Sequence, residues 1–470
     1  MCSIFGALLP KTNNTHDTIK AGVDLRLIME HSMARGRDGY GWNNHFFLFQ
    51  KGADDCRKVA RTFTLDEIVQ PDFETTVHGA AIIGNFRAEP TTEYVMKKRA
   101  HDQQPYRLMK WATVHNGTVA NDRELRTHEV QTSIDSAAIV ESLCKQPQLF
   151  EGPDDLYSTF HNTVKKVVGS YAILATHMDF PNQVLLAANY RPIWVSINAH
   201  GVFFASAEEY FPDDHTPIAI EPYSTASFRY TDEGHLEFET NTLRPKRDPN
   251  VKPRALVVAS GGLDSTVAAA QCIKDGYDVE LIHFTYGCRA EGREVHAVRK
   301  IGQEMGVPVT VFPMEIYEPS DSRLFDRNSD IAGGEEGAEF AHEWVPARNL
   351  VMLSVATAIA EARGFEYIVL GNNLEEAGAY PDNEPEFIRR FNNLLPFAVG
   401  DGKRVEVLMP VGDLMKHEIV ALGSTNGAPL HLTWSCYKNG GLHCGKCGPC
   451  FMRKTAFNIN GLEEVIQYEE

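Results

Sequence analysis

Four cysteines near the C-terminus have spacing typical of a metal site. They follow the pattern C-x7-C-x2-C-x2-C within TWSCYKNGGLHCGKCGPC, at Cys436, Cys444, Cys447 and Cys450. Two overlapping C-x2-C turns bring thiolates to one point, and the glycines between them allow the tight turns that tetrahedral zinc requires. Four thiolates complete the shell and leave no open position for a reacting group. The spacing therefore predicts one structural Zn²⁺.

A glycine-rich loop indicates a second kind of chemistry. The stretch ALVVASGGLDSTVAAA places the segment 260–265 between an apolar strand and a helix. Glycines there let the backbone approach an anion, and the helix N-terminus offers unpaired N–H groups. The loop lacks the lysine of G-x-x-x-x-G-K-[ST], so no P-loop grip on a γ-phosphate is predicted. We predict a cradle for nucleotide phosphates; the plainer alternative is a glycine turn with a Ser or Asp helix cap.

The third candidate is Cys2, directly behind the initiator methionine. If Met1 is removed, the α-amino group of Cys2 can serve as the base for its own thiol. Such an amino group has a pKa nearer neutrality than that of any unperturbed lysine. The position alone is weak evidence, so the assignment depends on what else the chain supplies.

Two kinds of scaffold must position these residues, and the sequence pattern changes near residue 240. Before it, apolar runs at 80–86, 107–117, 170–178 and 183–189 predict strands, with amphipathic helices around 15–34 and 134–146. From ALVVAS onward, strands alternate with helices, including one at 347–363, as in a doubly wound parallel sheet. We predict an α+β domain over 1–240, a proline-rich linker over 241–253 and an α/β domain over 254–470.

Composition limits the function classes. The 470 residues, 43% hydrophobic and 23% charged, are typical of a globular protein with two domains. A net charge of −18 gives no general affinity for nucleic acid, although a local basic patch could still bind it. We found neither an apolar run of membrane-spanning length nor a signal pattern, which predicts a cytoplasmic protein without a membrane partner.

The C-terminal half resembles the 7-cyano-7-deazaguanine synthases. The resemblance rests on SGGLDST, TYGCRAE, VPARN, GAYPD, MPVGDLMKHEIV and TWSCY…CGKCGPC, in this order over 254–457. That family, on an ATP pyrophosphatase fold, makes a nitrile from a 7-carboxy-7-deazaguanine, ammonia and ATP with Mg²⁺. The resemblance implies ATP binding by Ser260, Gly261, Gly262, Asp264, Ser265, Arg289, Arg348 and Lys416. It implies substrate binding by Asn349, Tyr380, Pro381 and Asp382.

The sequence departs from that family at three places. Cys288 stands where the family has glutamine, and Asn383 and Glu384 replace the cysteine and arginine that follow YPD. The segment before YPD is one residue longer than usual. Loss of an arginine from a site that normally handles a carboxylate indicates a neutral or larger substrate.

The N-terminal half resembles the class II glutamine amidotransferase domain. The motifs are ARGRDGYGW, GNFRAEP, HNGTVAN, TSIDSAAIV, VVGSYAIL, NYRPIW and ASAEE, in family order. The resemblance implies an N-terminal nucleophile hydrolase fold, an αββα sandwich, with Cys2 as the nucleophile. It implies that Arg87 clamps the α-carboxylate of glutamine, that Asp135 binds the α-ammonium, and that Asn116 and Gly117 supply oxyanion donors. Directly after Arg87, the loop AEPTTE stands where this family usually has a small, polar turn.

Together these features predict an ammonia generator joined to an ammonia consumer. Cys2 would release ammonia from glutamine, and a 7-deazaguanine would accept it after internal transfer. We favour conversion of 7-cyano-7-deazaguanine in nucleic acid to the archaeosine-type formamidine. The alternatives are ATP-dependent nitrile synthesis from the carboxylate, an asparagine synthetase-like reaction and a non-catalytic scaffold. Whether the acceptor is free base, RNA or DNA stays open. The oligomeric state also stays open, and the sequence is compatible with an oligomer.

Overall fold

The computed structural model divides into two compact units, Met1–Arg244 and Pro245–Glu470. It describes residues 2–11, 15–36, 39–44, 48–51, 81–88, 100–326, 333–334, 344–377, 380–400, 402–463 and 466–469. The motifs ARGRDGYGW, GNFRAEP and GAYPD and the loop AEPTTE lie partly outside these residues. The junction between the units falls inside the proline-rich segment 241–253.

The first unit contains two antiparallel sheets. Its strands are β1 (Ser3–Leu8), β2 (Gly39–Asn43), β3 (Leu48–Lys51), β4 (Ala81–Arg87), β5 (Tyr106–Leu108), β6 (Trp111–Val119), β7 (Gly169–His177), β8 (Phe180–Ala188), β9 (Trp194–Asn198), β10 (Gly201–Ala205), β11 (Ile218–Ala219), β12 (Ser224–Tyr230) and β13 (Leu236–Thr242). One sheet has the order β11-β9-β10-β1-β4-β2-β3, and the other β13-β12-β8-β7-β6-β5.

The two sheets pack face to face, with helices on their outer faces. The helices are α1 (Thr15–Ser32), α2 (Asp122–Leu125), α3 (Ala137–Cys144) and α4 (Pro153–Val164). In β1, side-chain alternation sends Ile4 and Leu8 into the core between the sheets and Phe5 toward α1. On the other sheet, α3 and α4 bury residues such as Ile139 and Phe160. This arrangement confirms the predicted αββα sandwich.

The predicted single strand at 107–117 is wrong in its extent. The structure divides it into β5 and β6, which pair with each other as a hairpin. Met109 has φ of +50°, so the chain turns there. Because methionine is apolar, the apolar pattern alone predicts that this residue continues the strand.

The second unit is a five-stranded, fully parallel sheet with helices on both faces. Its strands are β14 (Arg254–Val258), β15 (Asp278–Thr285), β16 (Val309–Pro313), β17 (Tyr367–Val369) and β18 (Glu406–Leu408). Its helices are α5 (Leu263–Lys274), α6 (Glu291–Met305), α7 (Arg348–Arg363), α8 (Leu374–Ala377), α9 (Pro385–Ala398), α10 (Lys416–Thr425) and α11 (Gly448–Ile459). None of the helices in the described parts of the chain is long and apolar enough to cross a membrane.

The strand order β16-β15-β14-β17-β18 places β14 at the centre of the sheet. The chain steps outward to β15 and β16 and then crosses back to β17 and β18 on the other side of β14. One face packs on α5, α6, α10 and α11, and the other on α7 and α9. This confirms the predicted doubly wound sheet, and such sheets bind ligands beyond the strand ends where the order reverses.

Candidate active sites and candidate metal centre

The glycine loop follows β14, at the point where the strand order reverses. Gly261 has φ of +82°, and a Cβ there would lie 3.0 Å from the Glu294 carbonyl oxygen. Gly371 follows β17 and packs against the first turn of α5, where a Cβ on residue 371 would lie 2.4 Å from the backbone nitrogen of Ser265. Glycine at these two positions therefore permits tight backbone packing around the N-terminus of α5, which can bind an anion.

Asp264 and Lys416 form an ion pair beside this loop. Lys416 Nζ lies 2.5 Å from Asp264 Oδ2, with side chains only 11% and 18% exposed. Lys416 begins α10, and its backbone nitrogen donates to Glu375 Oε1 at 2.8 Å. Within the loop, Ser260 Oγ and Ser265 Oγ lie 3.3 Å apart. The fold thus joins predicted phosphate-site residues that are about 150 positions apart in the sequence.

A cavity of about 280 Å³ opens beside this loop. The residues predicted for ATP and substrate that line it are Ser260, Gly262, Asp264, Ser265, Arg289, Arg348, Asn349, Tyr380 and Lys416. Of the predicted residues, Gly261, Pro381 and Asp382 are not among the lining residues. Asp382 instead positions Asn349, because Asp382 Oδ2 accepts from the Asn349 backbone nitrogen at 3.0 Å.

The corner that departs from the family pattern presents neutral amides to the cavity. Asn349 Nδ2 donates to Asn383 Oδ1 at 2.5 Å, and both residues line the cavity. Glu384 is exposed and lies at the N-cap of α9. Tyr380 stacks on Trp344, with ring centroids 6.1 Å apart. Glu384, which stands where the sequence resemblance led us to expect an arginine, is thus an exposed acidic residue and is not among the lining residues of the cavity.

Two further cavity residues, Tyr286 and Glu294, were not singled out from the sequence. Cys288 Sγ donates to Glu294 Oε2 at 3.5 Å, and Arg348 Nη1 donates to the Tyr286 hydroxyl at 3.3 Å. Burial disfavours the charged carboxylate and raises the pKa of Glu294 to about 7. Burial also raises the pKa of Tyr286 well above its usual value. The sequence signal that could have identified Glu294 is its position as an acidic residue in the first turn of α6, the helix that follows TYGCR.

In the first unit, Cys2 lies directly before β1. Because Ser3 pairs with Phe86, the register places Cys2 opposite Arg87. Cys2 Sγ donates to the Ala88 carbonyl oxygen at 3.7 Å. Burial raises the pKa of the Cys2 thiol. The hydrogen bond to Ala88 and the positive charge of Arg87 lower this pKa, whereas the negative charge of Asp135 raises it further. The predicted nucleophile therefore lies within electrostatic range of both predicted glutamine-binding side chains.

Arg87 and Asp135 are tied together through Asp102. Arg87 is buried, and its Nη1 donates to the Asp102 carbonyl oxygen at 3.3 Å. Thr132 Oγ1 donates to Asp102 Oδ1 at 2.8 Å and belongs to the loop that carries Asp135. Asp135 Oδ2 accepts from the Val119 backbone nitrogen at 2.6 Å, which fixes the carboxylate against the end of β6.

Asn116 and Gly117 lie in β6, three and two residues before the Val119 contact. Gly117 has φ of +150°, and a Cβ there would lie 1.9 Å from the Ser170 carbonyl oxygen. His115 Nε2 lies 3.1 Å from the same oxygen, and its Nδ1 lies 2.8 Å from Ser136 Oγ. A carbonyl only accepts, so Nε2 carries the proton and Nδ1 of the neutral ring accepts from Ser136. Burial lowers the pKa of His115, which favours this neutral form.

The four C-terminal cysteines converge as their spacing predicts. All four are buried, and their sulfur atoms lie within 4.8 Å of one another. The backbone nitrogens of Lys438 and Cys444 each donate to Cys436 Sγ at 3.4 Å, as suits a thiolate. The donor set and its compactness fit a tetrahedral zinc ion.

The cysteine cluster is also linked to the glycine loop. The Trp434 backbone nitrogen donates to the Gly261 carbonyl oxygen at 2.8 Å. The indole Nε1 of Trp434 donates to the Cys436 carbonyl oxygen at 2.7 Å. One residue thus contacts both the candidate phosphate loop and a candidate metal ligand.

The chain is similar in sequence to a known protein family. Residues 254–461 match the family described as "Queuosine biosynthesis protein QueC". A "7-cyano-7-deazaguanine synthase" from Saccharolobus solfataricus is 42% identical over 100% of both chains. Another, from Methanothrix thermoacetophila, is 42% identical over 46% of this chain and 99% of its own length. A solved glutamine phosphoribosylpyrophosphate amidotransferase from B. subtilis matches with a TM-score of 0.37 and 15% identity, over 91% of this chain and 90% of its own. The chain belongs to the 7-cyano-7-deazaguanine synthase family.

Proposed function

We propose that this chain is a glutamine-dependent amidotransferase that delivers ammonia to the 7-substituent of a 7-deazaguanine. The observation that carries the proposal is the presence of two separate sites in one chain. One is centred on Cys2, and the other is a cavity at the phosphate loop that starts at Ser260. The full-length relative is named for 7-deazaguanine chemistry, which supports this class of acceptor.

In the proposed glutaminase site, the Cys2 thiolate attacks the side-chain amide of glutamine. Ammonia leaves, and water hydrolyses the glutamyl thioester to glutamate. Arg87 binds the α-carboxylate of glutamine and Asp135 its α-ammonium, while Asn116 and Gly117 donate to the developing oxyanion. Because burial raises the pKa of the thiol, activation needs a base, and the α-amino group of a processed Cys2 supplies it.

In the proposed acceptor site, the ammonia attacks a nitrile and forms the archaeosine-type formamidine. The support is the amide-lined corner formed by Asn349 and Asn383. An uncharged nitrile can accept a hydrogen bond from an amide N–H, whereas the guanidinium groups that line the same cavity, at Arg289 and Arg348, suit phosphate or carboxylate groups. The neighbouring Tyr380 offers a ring face for a flat, purine-like base.

A second candidate is ATP-dependent synthesis of the nitrile from the 7-carboxylate. Two observations favour it: the printed names of the relatives and the Asp264–Lys416 pair at the phosphate loop. In this reaction ATP, used with Mg²⁺, would adenylate the carboxylate and then the amide. The asparagine synthetase-like alternative has no support from the family match or from the cysteine cluster.

We assign the proposed zinc to a structural role. Cys436, Cys444, Cys447 and Cys450 would hold it and complete its coordination shell. The ion would stabilise the segment before α11, and the chain's other residues would carry out the reaction.

The test is product analysis by mass spectrometry after incubation with glutamine. Free carboxy-deazaguanine, free cyano-deazaguanine, and RNA and DNA that contain the cyano base are each offered with and without ATP. We expect an amidine from a cyano acceptor, and glutamate in equal amount. Nitrile formed only from the carboxylate, with ATP consumed, would establish the second candidate instead. No reaction with any acceptor would refute both.

A further inference from the structure

Glu294 differs from the other acidic residues that line the cavity of the second unit. Among the lining residues described, the carboxylates are Asp264, Glu294 and Glu375. Asp264 is paired with Lys416, and Glu375 accepts a backbone N–H of the same residue. Glu294 instead receives the thiol of Cys288, a weak donor, at 3.5 Å. Its carboxyl group is therefore the one best able to exchange a proton with a bound molecule.

The surroundings of Glu294 come from three elements. Cys288 and Tyr286 lie after β15, Arg348 begins α7, and Glu291 lies one turn earlier on α6. Cys288, Tyr286 and Arg348 all line the same cavity. The charge of Arg348 favours the ionised carboxylate, whereas that of Glu291 disfavours it.

We propose that Glu294 is the proton-transfer residue of the acceptor site. This inference rests on the proposed function. The ammonia lone pair forms a bond to the nitrile carbon, and one π pair of the C≡N bond moves to the nitrile nitrogen. The protonated Glu294 gives its proton to that nitrogen. The resulting carboxylate takes one proton from the attacking nitrogen, so Glu294 is regenerated and the product is the neutral amidine.

The electrostatics of the site suit this role. Burial is the largest cause that raises the pKa of Glu294, to about 7. Near neutral pH the group is therefore present both as acid and as base, which is the condition for efficient general acid–base catalysis. An exposed glutamate, with an ordinary pKa near 4.3, would be almost wholly ionised and a poor donor.

The test uses Glu294→Gln and the matched control Glu304→Gln, an exposed residue on the same helix. Synthesis is driven by a fixed concentration of free NH3, so that glutaminase activity does not enter. We expect Glu294→Gln to lower kcat by about a hundredfold to ten-thousandfold, the usual contribution of a general acid or base. Its substrate affinity and its glutamine hydrolysis should be unchanged, and the control should match the wild type.

The pH profile separates this role from a structural one. For the nitrile acceptor, kcat of the wild type should fall as pH rises through about 7, because the protonated donor is lost. Glu294→Gln should remove this limb. Cys288→Ala should move this falling limb to higher pH, because the hydrogen bond that it removes stabilises the carboxylate and lowers the pKa of Glu294. A limb unchanged in Glu294→Gln, or kcat within threefold of the wild type, overturns the inference.

Failure of the proposed function would look different. If the wild type makes no product from any acceptor, the function itself is refuted. If it aminates an acyl adenylate, Glu294 is needed as a base and kcat should rise through about pH 7. A rising limb that disappears in Glu294→Gln therefore upholds proton transfer by Glu294 but replaces the nitrile acceptor by the carboxylate.

Discussion

Gly117→Ala should disable glutamine hydrolysis without affecting the second site. A Cβ at residue 117 would lie 1.9 Å from the Ser170 carbonyl oxygen, whereas real Cβ atoms do not come closer than 3.0 Å. β6 and β7 must therefore separate locally by about 1 Å. That shift takes an oxyanion donor out of the range of about 2.7–3.1 Å in which it is effective. The expected loss in kcat is about a hundredfold to a thousandfold, or about 2.7–4 kcal/mol.

The assay is glutamate release, with ammonium-driven synthesis measured on the same preparation. Gly152→Ala is the matched control, because Gly152 has an extended backbone and no atom within 4 Å of an added Cβ. The control should hydrolyse glutamine like the wild type, and both variants should keep ammonium-driven synthesis. Wild-type glutaminase activity in Gly117→Ala would refute the oxyanion assignment. Loss of both activities, with a lowered unfolding midpoint, would show that the contact serves folding instead.

Three further outcomes are expected. Cys2→Ala should abolish glutamate release but retain product formation with ammonium, because the two sites are separate; residual hydrolysis would exclude Cys2 as the nucleophile. Cys450→Ser should lack the one zinc per chain that we expect elemental analysis to detect in the wild type, and it should fold poorly, since the binding free energy of structural zinc is about 10–16 kcal/mol; active protein without zinc would contradict this. Asp264→Asn, which removes a carboxylate that would hold Mg²⁺ and that positions Lys416 at 2.5 Å, should weaken binding of the Mg²⁺ complex of a nonhydrolysable ATP analogue about tenfold. In that titration, unchanged affinity would place the nucleotide elsewhere.

Local sequence patterns were sufficient for much of the fold. The apolar runs at 80–86 and 183–189 and the strand–helix alternation after Arg254 report burial directly, because buried strands and helices carry apolar residues in runs of characteristic length and period. The cysteine cluster was also predictable from local sequence, because Cys444, Cys447 and Cys450 lie within seven residues, in the turn that leads into α11 and in its first turn. The hairpin at Met109 was missed because a left-handed turn at methionine leaves no compositional mark.

The cavity contacts required the fold itself. Nothing local links Asp264 with Lys416, or Asp382 with Asn349, because each pair is closed by a crossover between distant segments. The properties of Glu294 were equally hidden, since the largest cause of its raised pKa is burial in the tertiary structure. Sequence motifs supplied the residue types of the site, and tertiary packing determined their protonation and their partners.

Trp434 gives the link between the cysteine cluster and the glycine loop a thermodynamic meaning. Its two hydrogen bonds, to Gly261 and to Cys436, couple the order of the loop to that of the metal-binding segment. If metal occupancy stabilises the loop conformation that binds nucleotide, linkage requires the reverse by the same factor. Bound nucleotide would then raise the affinity for zinc, so the protein would hold its metal most firmly when nucleotide is bound and least firmly when nucleotide is absent.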